Sequence, residues 1–200
     1  MSNLCEKIIS ACIAAECDNP LYAGVKSTAY IFNKSQIASV TKSGNTISGI
    51  TMGNDGAAQN PVTYCAYTVQ QLGNKPFDGS QTEMVEGTYG NRFNHTVQLA
   101  IVDNGPDICK NIVDSLANGS FCVILENEYV HSNGDNKYQC YGFDKGLKAS
   151  SITREVWGDN ESAYIVTLVE EGSPTSGKFF YVTDESTTDA AVKALLCTCA

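Results

Sequence analysis

Alternation of apolar and polar positions runs through most of the chain. Residues 27–33 (Ser-Thr-Ala-Tyr-Ile-Phe-Asn) are rich in strand formers, and residues 37–41 and 46–52 flank Lys42-Ser43-Gly44-Asn45, a hairpin turn. Further strands are predicted over 62–69, 83–89, 92–103, 121–126, 138–143, 151–156, 163–170 and 178–183. The segment 121–126 (Phe-Cys-Val-Ile-Leu-Glu) reads as a strong buried strand. The period changes at Asn104-Gly105-Pro106-Asp107. Ile108, Ile112, Val113 and Leu116 then recur at helical spacing, with Pro106 near the first turn and Asn118-Gly119 as the stop. Leu4, Ile8, Ile9, Cys12 and Ile13 share one face of an N-terminal helix over 1–18. Thr187-Thr188-Asp189 reads as the cap of a last helix over 187–198 carrying Val192, Leu195 and Leu196.

This makes roughly ten strands and three helices with no strand–helix–strand alternation, so a parallel sheet is not expected. The expected class is α+β: a mostly antiparallel β-sandwich or partly open barrel with a few flanking helices. Two hundred residues suit a single domain, 1–200, with its β-rich core over 25–185. No linker, repeat or low-complexity segment divides it.

Charge narrows the function. Lys+Arg is 13 against 22 Asp+Glu, a formal net charge of −9, and the arginines are Arg92 and Arg154 alone. Binding to a phosphate backbone needs clustered cations. No apolar run approaches the ~20 residues of a membrane helix. The apolar stretch near Cys12 is too short for the centre of a secretory signal.

Candidate chemistry is sparse. The nine cysteines (5, 12, 17, 65, 109, 122, 140, 197 and 199) lack zinc-ligand spacing, and neither His95 nor His131 stands near a Cys pair. Cys65 and Cys122 occupy apolar strand positions, where a free thiol packs as a small hydrophobe, so mostly reduced thiols and a reducing cytoplasm are expected. Disulfides and metal binding are the less favoured readings. His95 reads as a strand histidine with structural hydrogen bonds. The turns at Asn54-Asp55-Gly56, Gly134-Asp135-Asn136 and Gly158-Asp159-Asn160-Glu161 lack the ligand order of a calcium loop and read as solvated turns. Four glycosylation sequons, at Asn33, Asn94, Asn118 and Asn160, carry little weight without a secretory signal. Tyr64, Tyr67, Tyr89 and Tyr141 read as core and interface residues, since a base-stacking platform would need basic companions. No catalytic, cofactor-binding or metal site is assigned.

One ordered series stands out. A strand with Gly87-Thr-Tyr-Gly-Asn-Arg-Phe-Asn-His-Thr-Val97 leads to Val102-Asp-Asn-Gly-Pro-Asp107. A helix then ends in Leu116-Ala-Asn-Gly-Ser-Phe-Cys-Val-Ile-Leu-Glu-Asn127. Cys140-Tyr-Gly-Phe-Asp-Lys-Gly-Leu-Lys-Ala-Ser-Ser-Ile-Thr-Arg154, Tyr164-Ile-Val-Thr-Leu168 and Phe179-Phe-Tyr-Val-Thr-Asp184 follow. Over about residues 25–185 this order resembles structural proteins of tailed bacteriophages, in particular tail-tube-like subunits of phages infecting Bacteroidota. The resemblance implies a non-enzymatic virion protein, made in the host bacterial cytoplasm, that forms six-fold rings. Stacked rings would line the passage for genome ejection, letting DNA through without binding it specifically, and would contact other tail or connector proteins but no membrane. A tail ring protein fits the same series. Alternatives are a head decoration, capsid accessory or connector protein and, more distantly, a cysteine-dependent enzyme or a secreted binding module. The polar insertions at 53–60, 74–82 and 129–137 are the expected subunit contacts.

Overall fold

The computed structural model describes residues 24–57, 62–88, 90–102, 105–157 and 162–197. The expected N-terminal helix, Cys5, Cys12, Cys17, Cys199, Tyr89 and the turn at 158–161 lie outside them.

The strands are β1 (Val25–Asn33), β2 (Ile37–Ser43), β3 (Thr46–Met52), β4 (Tyr67–Gln70), β5 (Gln81–Val85), β6 (Arg92–Ile101), β7 (Phe121–Asn127), β8 (Tyr138–Tyr141), β9 (Lys148–Arg154), β10 (Tyr164–Ser173) and β11 (Lys178–Phe180). Seven form one sheet in the order β2-β3-β11-β8-β7-β1-β4; four form a second in the order β5-β6-β10-β9. This is a mostly β, α+β protein. Between β6 and β7 runs α1 (Pro106–Ile108), a π-helical turn over Cys109–Val113 and α2 (Asp114–Asn118). The last element is α3 (Glu185–Ala194).

Strand β7 explains the layering. Phe121, Val123 and Leu125 point one way and pack with Val97, Leu99, Val166 and Leu168 of the four-stranded sheet. Cys122 and Ile124 point the other way, into a second cluster with Phe32, Ile47, Phe180 and Val192 of α3. A strand with core on both faces has no solvent side, which is why its sequence does not alternate. Each large aliphatic or aromatic side chain buried this fully contributes about 1.5–3 kcal/mol.

Strand pairing is mostly antiparallel; β11 lies parallel to β3, Phe179 opposite Thr46 and Phe180 opposite Ile47. Other expectations need correcting. The strand expected over 62–69 shrinks to β4, preceded by isolated bridges from Thr63 to Asn54 and from Ala66 to Leu196 of the C-terminal segment. Ala66 donates its N–H to Leu195 O and accepts from Cys197 N–H. Next to this pairing Cys65 and Cys197 form a disulfide with Cα atoms 5.1 Å apart, so Cys65 is not the free thiol its apolar setting suggested. Cys122 and Cys140 are free and buried, and Cys109 is half-buried with its Sγ 3.4 Å from Tyr164 OH. The last helix starts earlier and stops sooner than expected. Its N-cap is Asp184, whose Oδ1 accepts the Thr187 N–H at 2.8 Å, and residues 195–197 already run alongside Ala66. Asp184 satisfies a backbone donor the helix cannot pair itself.

Candidate functional site: a buried polar centre and an open sheet edge

The polar residues buried between the sheets gather where β10 passes the 142–146 loop. Glu170, 2% exposed, accepts backbone N–H bonds from Gly142 (3.0 Å), Asp144 (3.1 Å), Lys145 and Gly146 (3.2 Å). The loop can wrap a carboxylate because Gly142 and Gly146 take φ of +82° and +94°, open to glycine without strain. Asp144 turns its own carboxylate the other way. It accepts from Lys178, from Lys42 (3.1 Å), from Ser173 (3.0 Å) and from Thr175 Oγ1 (3.3 Å). Burial pushes the Asp144 carboxyl up, but the bonds from Lys178 and Lys42 outweigh it and hold the group at about 2. Lys34 Nζ donates to Gly142 O and Asp144 O, closing the loop from outside.

His95 sits beside this centre, 3% exposed. Its Nδ1 lies 2.9 Å from Thr82 Oγ1 and its Nε2 3.0 Å from Thr175 O. The carbonyl can only accept, so Nε2 carries the proton and Nδ1 accepts from the threonine hydroxyl. Burial lowers the pKa of the ring and favours this neutral form. Both ring nitrogens are therefore engaged, as expected of a structural strand histidine, and all the described partners of Glu170 are backbone donors. Burial also raises the thiols: Cys122 to about 12, and Cys140 upward as well. Neither is poised as a thiolate nucleophile. The chemistry of this centre is to fix a loop and join two sheets.

A second polar cluster docks α3. Lys137, its side chain mostly buried, donates to Glu185 Oε1 and Asp189 Oδ2 at 2.8 Å each, and Tyr138 OH donates to Asp189 Oδ1 at 2.9 Å. His131 of the 129–137 loop is 2.9 Å from Asp135 Oδ1, so Asp135 serves the loop. Asp55 does the same in its own loop, accepting from the N–H groups of Ala57 and Val62. No group of three or more metal-ligating side chains occurs among the described residues.

The remaining unusual surface is an edge. Among the described residues β5 pairs with β6 alone, Met84 opposite Phe93 and Val85 opposite Arg92. All five of its residues are exposed, Met84 at 60%. Thr82 and Met84 share the side of the sheet that faces the core, since Thr82 stands opposite buried His95. Met84 therefore overhangs the core without being covered. At the other edge α2 lies close to β9. Beyond β9 the chain exposes Val156 and, at 98%, Trp157. Of the tyrosines, Tyr141 is buried in the core, whereas Tyr67 is mostly exposed on edge strand β4. The strand expected over 83–89 is found as β5 over Gln81–Val85, and its Gln-Thr-Glu-Met-Val sequence has no apolar–polar alternation by which patterning could single it out.

The chain has no significant match to a protein-family model, a curated protein or a solved structure.

Proposed function

We propose that this protein is a self-assembling structural subunit of a tailed-phage virion, most simply a tail tube or tail ring protein whose copies close into stacked rings. The observation that carries the reading is β5: a strand edge with no pairing partner among the described residues, free of Pro and Lys, with Met84 and Val85 presented to solvent. An exposed edge is a template for another chain's backbone. Adding β5 of one subunit to a different edge of the next is a head-to-tail contact, which generates a ring when the rotation closes. The net charge of −9 suits a passage that DNA slides through. The polar centre, with its groups committed to holding the fold, favours a structural role over a cysteine-dependent one.

Sedimentation and negative-stain microscopy of the purified protein test this. Wild type forms rings or short stacks, and Met84→Lys with Val85→Lys shifts the population to monomer while circular dichroism stays unchanged. A wild type that remains monomeric at high concentration, with or without tail components, overturns the proposal. Ordering only on preformed capsids selects the head decoration role instead.

A further inference from the structure

The four-stranded sheet is narrower than the seven-stranded one and leaves part of its inner face uncovered. There the floor changes chemistry. Along β7 the inward positions run Val123, Leu125, Asn127; on β1 Ile31 and Ala29 stand opposite the first two, and beyond a shift in register Val25 stands opposite Asn127, with exposed Ser27 between Val25 and Ala29. Gln139 of β8 stands opposite Leu125 on one side and Phe179 on the other. The floor thus carries the amides of Asn127 and Gln139 and the Ser27 hydroxyl beside the apolar Val25 and Leu125. Above this floor is an open cleft of about 990 Å³, walled by the 73–80 segment and the 128–137 loop.

Both walls are held in place. In the 128–137 loop, Asn127 Nδ2 donates to Asn136 O at 2.6 Å, and Asn136 Oδ1 accepts the His131 N–H at 2.7 Å. Asn136 Nδ2 also reaches Tyr129 O at 3.4 Å, and the Tyr129 and His131 rings meet edge to face at 6.0 Å. In the other wall Phe77 takes a φ of +57°, rare for a bulky residue, and its N–H is held by buried Gln71 Oε1 at 2.8 Å. Strain of this kind persists only where the surroundings impose it, and it gathers at ligand sites. On the floor Tyr141 OH donates to Gln139 Oε1 at 2.6 Å, which orients the amide and leaves Gln139 Nε2 without a protein partner among the described residues. Asn127 Oδ1 is likewise uncommitted there.

From this geometry we infer that the cleft is a binding site for a neutral oligosaccharide. The size falls in the ordinary range of ligand sites, about 300–1,000 Å³. The uncommitted groups are a neutral amide donor, a neutral amide oxygen and the Ser27 hydroxyl, which match adjacent sugar hydroxyls that both donate and accept. The half-exposed rings of Phe179 and Tyr129 supply apolar faces for sugar C–H groups. Charge around the cleft is balanced: Lys26 is paired with Glu126 at 2.7 Å, Lys75 is offset by Asp78, and the acidic Glu128 stands on the rim. A phosphorylated or sulfated ligand would find no concentrated positive charge.

The probe is a panel of neutral oligosaccharides built from glucose, galactose, mannose and N-acetylhexosamines, with heparin fragments and sugar phosphates as anionic comparators. Binding to the full chain is read by saturation-transfer NMR and titration calorimetry. At least one neutral member binds. Ser27→Trp fills the cleft from an exposed position and abolishes binding with an unchanged melting temperature. Gln139→Ala weakens it about tenfold, the loss of one well-placed hydrogen bond. Thr153→Trp, exposed on β9, leaves it unaltered. Absence of binding by every neutral member, binding restricted to the anionic comparators, or full binding by Ser27→Trp each overturns the assignment.

Discussion

The two sheets bury different amounts of themselves. In the seven-stranded sheet β7 has core on both faces, and α3 packs on the side away from the second sheet. The four-stranded sheet buries one face only. Val97 and Leu99 of β6 and Val166 and Leu168 of β10 are buried, whereas Thr96, Gln98, Ile165 and Thr167 between them are partly exposed. The first sheet is built as scaffold. The second keeps a solvent face, a bare edge at β5 and an exposed tip at Trp157, the features a subunit needs to meet another. The polar centre joins the two, since Glu170 of β10 holds the loop that follows β8.

Removing that joint has the largest expected effect. Glu170→Ala leaves the buried N–H groups of Gly142 and Gly146 without their acceptor and strands the rest of the loop, at a cost of about 3–5 kcal/mol in urea unfolding. Glu170→Gln retains one carbonyl acceptor and costs less. The same centre sets an acid limit. Asp144 is held at about 2, below its usual value, so its contribution is complete above pH ~4 and lost as pH falls toward 2. Acid titration of Asp144→Asn should lack that component of the loss.

The contrast between the sheets is sharpened by paired truncations. Ile124→Ala, in β7, empties a fully buried site and costs about 2–5 kcal/mol. Val169→Ala, on the half-covered face of β10, should cost under about 1 kcal/mol. Equal costs would mean that the outer face of the four-stranded sheet is as buried as β7.

Much of this layering was legible in the sequence. The unbroken apolar run of β7, the alternation of β6 and β10 and the hairpin turning at Gly44-Asn45 all follow from local chemistry that tertiary structure left in force. What was not legible depends on partners far along the chain. Cys65 sits in an apolar strand pattern whether it is free or bonded, and only the pairing of Ala66 with residues 195–197 brings Cys197 to it across 132 residues. Asp184 does not stand out as a cap beside Thr187-Thr188-Asp189, whose residue types suit the same role, and the Thr188 hydroxyl instead donates to Asp184 O. Glu170 ends a strand like any solvated carboxylate, and its burial appears only once the 142–146 loop folds over it. For the cleft, the signal available was the change from Leu125 to Asn127 in an inward register, which has meaning only when the opposite sheet is known to stop short.

The disulfide ranks next among the predicted effects. Cys197→Ser, or reduction with excess thiol, removes a cross-link and should lower stability by about 2–4 kcal/mol. The loss falls on the C-terminal segment, while α3 stays docked through Lys137 and Tyr138. Hydrogen exchange should therefore speed at Ala66 and Cys197 and leave β7 unchanged. Faster exchange throughout β7 would mean that the cross-link supports the scaffold sheet as a whole.

The smallest effect on stability belongs to Trp157, and it carries the most information about assembly. The residue is the sole tryptophan and is 98% exposed beyond β9, so its side chain contributes little to the isolated fold. Trp157→Ser should change unfolding free energy by no more than about 0.5 kcal/mol. In the monomer its emission should be that of a water-exposed indole, fully open to iodide quenching. If rings form through β5 alone, the tip stays in water and quenching persists in the assembled fraction. If the tip inserts into the next subunit or the next ring, emission shifts to the blue and quenching falls, because burying an indole removes both water and quencher. In that case Trp157→Ser should block stacking while leaving β5-dependent rings intact, which separates contacts within a ring from contacts between rings.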